Sequence, residues 1–139
     1  MKNKIEADYP KFRRAFWHLV IELLRVTHKT RFPAHVRFGS AVQEIVVYGA
    51  AMSLHVRGQP IRSSKISAFL DMPNETCRRH LARLVEWGVL VRENSHYRPS
   101  AYVSKTPGRN ISRYTRRMIE ETAKSLTADQ EEGIKNTPF

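Results

Sequence analysis

Between residues 57 and 117 the 139-residue chain carries eleven arginines and two lysines against four acidic side chains, a net of +9. A guanidinium fork can donate two parallel hydrogen bonds to a phosphate or to the edge of a guanine, which an ammonium point charge cannot copy. Solubility alone gives no reason to prefer Arg over Lys so strongly. The bias therefore points to a polyanionic partner. Inside this run Asn74, Glu75, Thr76, Arg78, Arg79 and Arg83 crowd into ten positions, and these are residue types that read base edges: Arg at guanine, Asn at adenine, Glu at cytosine. Arg79 is the best candidate for guanine and Asn74 for adenine. Glu75 either accepts from cytosine or orients an arginine. Ser63, Ser64, Lys65 and Thr76 suit phosphate oxygens, while Arg92, His96 and Arg98 suit the backbone or the minor groove. Arg83 has an alternative, an ion pair with Glu86 or Glu75 on a solvated face.

Other chemistries find little support. The six histidines (18, 28, 35, 55, 80 and 96) include no close helical pair and lack the Glu or Cys company of a zinc site, so no metal and no cofactor is expected. His80 and His96 read as surface histidines. Cys77 is the single cysteine, which excludes an intrachain disulfide and fits a reducing compartment. It lies on an apolar stripe and reads as a small core residue rather than a redox sensor. No cluster of carboxylates and no His beside a nucleophile stands out, so an enzyme, a nuclease included, is not expected.

The elements that must present these side chains follow from hydrophobic spacing. Pro10 opens a helical segment, 11–27, with Phe12, Phe16, Leu19, Val20, Leu23 and Leu24 on a wide apolar arc. A loop over 30–39 leads to Ser40, a candidate cap for a helix over 41–56 that is apolar almost all round, with Glu44 in its first turn complementing the helix dipole. Such a helix is either the centre of the core or meets a second subunit. Ser63 and Ser64 are candidate caps for a short helix over 65–70. Asp71-Met72-Pro73 makes a tight connection, and 74–87 follows as an amphipathic helix with Cys77, Leu81, Leu84 and Val85 inward, stopped by Gly88. Two short strands are expected at 89–91 and 101–103 around a polar turn, 92–100. A last amphipathic helix spans 110–126, with Ile111, Tyr114, Met118, Ile119 and Leu126 apolar, before a frayed polar end of about a dozen residues.

The order helix, short helix, tight turn, amphipathic helix ending in Gly, hairpin resembles a winged helix-turn-helix. Residues 66–90 are similar to the signature of bacterial winged-helix repressors, most closely the multiple-antibiotic-resistance-regulator (MarR) type and next the GntR type. The small residue of the first helix is Ser67, the turn is Leu70-Asp71-Met72, the entry is Pro73-Asn74-Glu75-Thr76-Cys77-Arg78-Arg79, and the exit is Leu84-Val85-Glu86-Trp87-Gly88-Val89-Leu90. Asp71 stands where those families usually have glycine, and Asn94-Ser95-His96-Tyr97 in the wing turn contains none.

The resemblance implies a mostly α fold with a small β-hairpin wing, extended by N- and C-terminal helices. The expected divisions are 1–39 for dimerisation, 40–105 for DNA binding and 106–139 for the last helix and tail, with the first and last helices expected to form a two-fold interface unless they wrap the chain's own core. The function it implies is a sequence-specific transcriptional regulator of double-stranded DNA acting as a homodimer, with 74–87 in the major groove and 89–103 as the wing. A small-molecule effector also follows from the resemblance, although no residue identifies one. The competing class is a winged helix used for protein contact or for non-specific DNA packaging. The apolar stretches 16–24 and 45–54 are too short to span a bilayer. The start of the chain, with Asp8 and Pro10, is no clean apolar signal, so no membrane partner and a cytoplasmic location are expected.

Overall fold

The computed structural model describes residues 2–101 and 113–134, with side chains over 10–101 and 113–125. Its elements in chain order are α1 (Lys2–Arg31), a 3₁₀ turn (Phe38–Ser40), α2 (Val42–Val56), α3 (Ser63–Leu70), α4 (Asn74–Glu86), β1 (Leu90–Glu93), β2 (His96–Pro99) and α5 (Arg113–Ile134). The architecture is mostly helical with one small antiparallel hairpin. The chain divides into two compact units: Leu24–Asn110, and Met1–Leu23 with Ile111–Phe139. The first division falls inside α1 rather than at 39, because Leu24, Phe32, Val36 and Phe38 all pack in or against the same core as α2.

In the Leu24–Asn110 unit, α2, α3 and α4 pack on one another and α4 leads into the hairpin. α2 supplies Ile45, Val47, Tyr48 and Ala51 to the interior, α3 supplies Ile66, and α4 supplies Cys77, Leu81 and Leu84. The stripe on α4 is the one the helical spacing requires. α2 is central as expected, although Val42, Val46 and Val56 keep exposed faces. At its start the cap position is Ala41, with no side-chain cap bond, and Ser40 belongs to the 3₁₀ turn. α3 begins two residues early, so Ser63 and Ser64 lie in its first turn and cap nothing. Asp71 takes the left-handed conformation (φ 52°) that ends α3 where a glycine would serve. The α4 terminus closes with Val89 N–H on the Leu84 carbonyl at 2.9 Å and Gly88 N–H on that of Val85 at 3.0 Å. Gly88 sits at φ 76°, the conformation this closure needs.

The hairpin corrects the expected second strand. β1 pairs with His96–Pro99 in the register Leu90↔Pro99, Val91↔Arg98, Arg92↔Tyr97 and Glu93↔His96. Ala101 is already helical, and 102–103 lie outside the described residues. The turn shrinks to Asn94-Ser95 because Asn94 takes φ 54°, a left-handed conformation that asparagine tolerates better than most residues. Tyr97 and Pro99 then alternate inward while Arg98 faces solvent. Tyr97 N–H also donates to the Ile61 carbonyl at 2.9 Å, tying the hairpin to the segment before α3.

In the other unit, α1 continues on both sides of Pro10 instead of starting there. A proline inside a helix removes one backbone hydrogen bond without necessarily ending it. α5 reaches Ile134, farther than expected, so the polar run after Leu126 is helical up to that point. Its buried face is Thr115, Met118 and Thr122 rather than Tyr114 and Ile119, which are exposed. Thr122 Oγ1 satisfies itself on the Met118 carbonyl at 2.7 Å, which lets a hydroxyl occupy a buried helical position. Ile111 and the side chain of Leu126 lie outside the described residues. Among the described residues no helix is long and apolar enough to cross a membrane.

Leu84 is fully buried on the α4 stripe. Leu84→Ala is expected to lower unfolding stability by about 2–5 kcal/mol, the range for emptying such a site, read as a shift in the urea midpoint.

Candidate nucleic-acid interface

With Cys77, Leu81 and Leu84 turned inward, the opposite face of α4 must look outward. Glu75, Arg79, Ala82, Arg83 and Glu86 are exposed there, while at its N-terminal end and flanks Asn74 and Arg78 are exposed and Thr76 is half-buried. The first two turns of α4 thus present Asn, Glu, Thr and Arg to solvent on a rigid element.

A groove of about 880 Å³ runs between this face and the hairpin. Ser63, Glu75, Arg78 and Arg79 line it from the helices, Arg92, Asn94, Ser95 and Tyr97 from the hairpin. Three arginines face a single carboxylate, so the groove can accept an anionic chain. Arg78 and Arg79 have no hydrogen bond or ion pair among the described residues, which leaves both forks available. Arg92 Nε donates to the Asn94 carbonyl at 3.3 Å, bracing the turn. Ala82, Val85, Asn94, Ser95 and Tyr97 are lining residues that the sequence reading had not assigned to the site. The alternation of Tyr97 and Pro99 is the signal that could have placed the hairpin turn, and with it Asn94 and Ser95.

The remaining expected site residues sit elsewhere. Ser64 is exposed on α3. Lys65 lines a small notch on the α2–α3 side with Arg57 and Phe69, not the groove. His96 and Arg98 gather on Glu93. Arg98 Nε donates to the Glu93 carboxylate, and His96 Nε2 stands 3.6 Å from its other oxygen. The Arg98 hydrogen bond, with the nearby charges of Arg98 and His96, holds the Glu93 carboxyl below its usual range. The Arg98 charge is thus partly neutralised at the rim of the hairpin.

Arg83 and His80 depart most from expectation. Arg83 pairs with neither Glu75 nor Glu86. Its Nη1 donates to Glu44 Oε1 at 3.1 Å. His80, expected at the surface, is buried and donates from Nδ1 to the same oxygen at 2.8 Å. Glu44 itself is only 1 % exposed. It stands in the first turn of α2 as expected, but it faces inward and binds α4 instead of serving only the helix dipole. The signal for this lay in the sequence: a lone carboxylate on a helix apolar all round has to find a partner indoors.

Comparison of the chain with protein-family models, with curated proteins and with solved structures finds no match. Among the described residues no group of three or more His, Cys, Asp or Glu is placed to hold a metal ion.

Cys77 is fully enclosed by the core, and burial pushes its thiol above the usual range. Since the thiolate is the reactive form, alkylation at neutral pH is expected to be far slower in the native chain than in urea. Equal labelling rates would show an accessible, reactive thiol instead.

Proposed function

We propose that this protein is a sequence-specific regulator of transcription that binds double-stranded DNA as a homodimer. In this reading the Leu24–Asn110 unit is a winged helix-turn-helix, with α4 as the recognition helix in the major groove and the β1–β2 hairpin as the wing. The observation that carries it is the pair of exposed guanidinium groups, Arg78 and Arg79, without partners among the described residues, on a helix whose apolar stripe is sealed in the core. A major groove admits an α-helix, and residues in the first turns of such a helix reach base edges. Arg79 is assigned to guanine and Asn74 to adenine, with Glu75 beside them. Ser63, Ser64 and Thr76 suit phosphate oxygens near the α3 and α4 N-termini. Arg92 serves the backbone or the minor groove, with His96 and Arg98 in support. The overall charge of +11 favours fast encounter with a polyanion.

A single recognition helix reads only a few base pairs, so two copies must act together to define a site. The unit formed by Met1–Leu23 and Ile111–Phe139 offers material for that contact. Trp17 is 61 % exposed, and Phe16, Ile21, Tyr114 and Ile119 expose large apolar faces in the same unit. Large apolar side chains exposed in number in one unit are candidates for burial against a partner. A second copy is the occupant that the two-half-site reading requires.

The test is selection of bound sequences from a random duplex pool, followed by affinity measurements on the winner and on a scrambled duplex. The expected winner is a palindrome with half-sites about one helical turn apart, held distinctly tighter than the scramble. Arg79→Ala is expected to lose about 1–3 kcal/mol of that preference. Equal affinities and equal salt slopes on both duplexes would instead indicate a non-specific architectural binder.

A further inference from the structure

Each cation on a DNA-facing surface adds to sequence-independent affinity, because each neutralised phosphate releases counterions. Specificity is the ratio of specific to non-specific binding, so a cation that touches phosphate alone weakens discrimination. On α4, Arg79 and Arg83 are one turn apart, about 40° around the axis at 100° per residue. Both are exposed, yet their surroundings differ. Arg79 lines the groove and has no carboxylate partner among the described residues. Arg83 does not line the groove, and its guanidinium rests on the buried oxygen of Glu44 while its side chain remains 59 % exposed. Glu44 is held in turn by His80 from the same helix, so the carboxylate cannot swing away without abandoning a buried donor.

We propose that Glu44 is a specificity-determining positioning residue. By gripping Arg83 from beneath, it withdraws that cation from the phosphate-contacting set of α4 and leaves Arg78 and Arg79 to meet the duplex. The proposal rests on the DNA-binding reading above. Its consequence is electrostatic: the chain binds a duplex as though α4 had one cation fewer than its sequence shows. His80 on the same oxygen fixes the setting of α4 against α2. Loss of the Glu44 charge frees Arg83 as a phosphate contact without adding any base contact.

The experiment measures the salt dependence of binding to a mixed-sequence duplex for the full-length chain and its variants. Removal of one phosphate contact lowers the magnitude of the slope of log K against log salt by about 0.9. On a mixed-sequence duplex no guanine stands in register for Arg79, whose fork then meets phosphate, so Arg79→Ala is expected to show that loss and Arg83→Ala to keep the wild-type slope. Glu44→Gln retains an acceptor for His80 but drops the charge. It is expected to steepen the slope by about 0.9, with Glu44→Gln/Arg83→Ala returning to the wild-type value. A Glu44→Gln slope equal to wild type would overturn the proposal, and so would an Arg83→Ala loss as large as that of Arg79→Ala. Should Glu44→Gln fail to fold, the Arg79 and Arg83 comparison in the otherwise native chain decides the matter alone. Failure of the wild-type chain to bind any duplex would refute the DNA-binding reading itself, and this inference with it.

Discussion

A carboxylate taken out of water loses its hydration and must be repaid by donors close at hand. Glu44 is taken out of water near the start of α2, and both side chains that satisfy it belong to α4. Together with the apolar stripe of Cys77, Leu81 and Leu84, this fixes α4 in rotation as well as in position. The stripe alone tolerates a modest roll, since dispersion contacts have no direction. Hydrogen bonds of 2.8 and 3.1 Å to one oxygen do not. Everything the outer face of α4 can do depends on that setting: which arginines look into the groove, and which one is held back.

The arginines therefore play different parts. Arg98 is occupied by Glu93 at the hairpin, Arg92 braces the Asn94 turn, and Arg83 sits on Glu44. Arg78 and Arg79 alone among the α4 arginines keep their forks unengaged by described residues. In the proposed reading, a net charge of +11 favours encounter with a polyanion, while the few unengaged forks would carry its recognition.

Much of this was legible in the sequence, for identifiable reasons. The α4 stripe, the Gly88 stop and the Asp71 turn are local features, set by helical period and by backbone conformations few residues adopt, and each lies where the pattern puts it. The hairpin was half legible. β1 lies within a residue or two of its expected place, but the apolar run at 101–103 is a stronger strand signal than 96–99, where only Tyr97 and Pro99 interrupt polar residues. Asn94 shortened the turn, and the inward pair Tyr97 and Pro99 supplied the buried face. Helix ends were legible where a left-handed residue stops them, as at Asp71 and Gly88, and not where a serine suggested a cap, since Ser40, Ser63 and Ser64 cap nothing. Least legible was the link between Glu44, His80 and Arg83, which are 36 and 39 positions apart. No local period reports a contact of that span, although a lone acid on an apolar helix announces that one exists.

The most direct test of the outward setting of α4 is a residue-resolved footprint of the duplex. Backbone amide shifts of the full-length chain would be recorded by NMR before and after adding the selected duplex. The largest changes are expected at residues 74–79 and 92–97, with the first half of α1 and α5 little moved. Changes concentrated on α1 or α5, with 74–79 unmoved, would contradict the claim that the guanidinium face of α4 meets the nucleic acid.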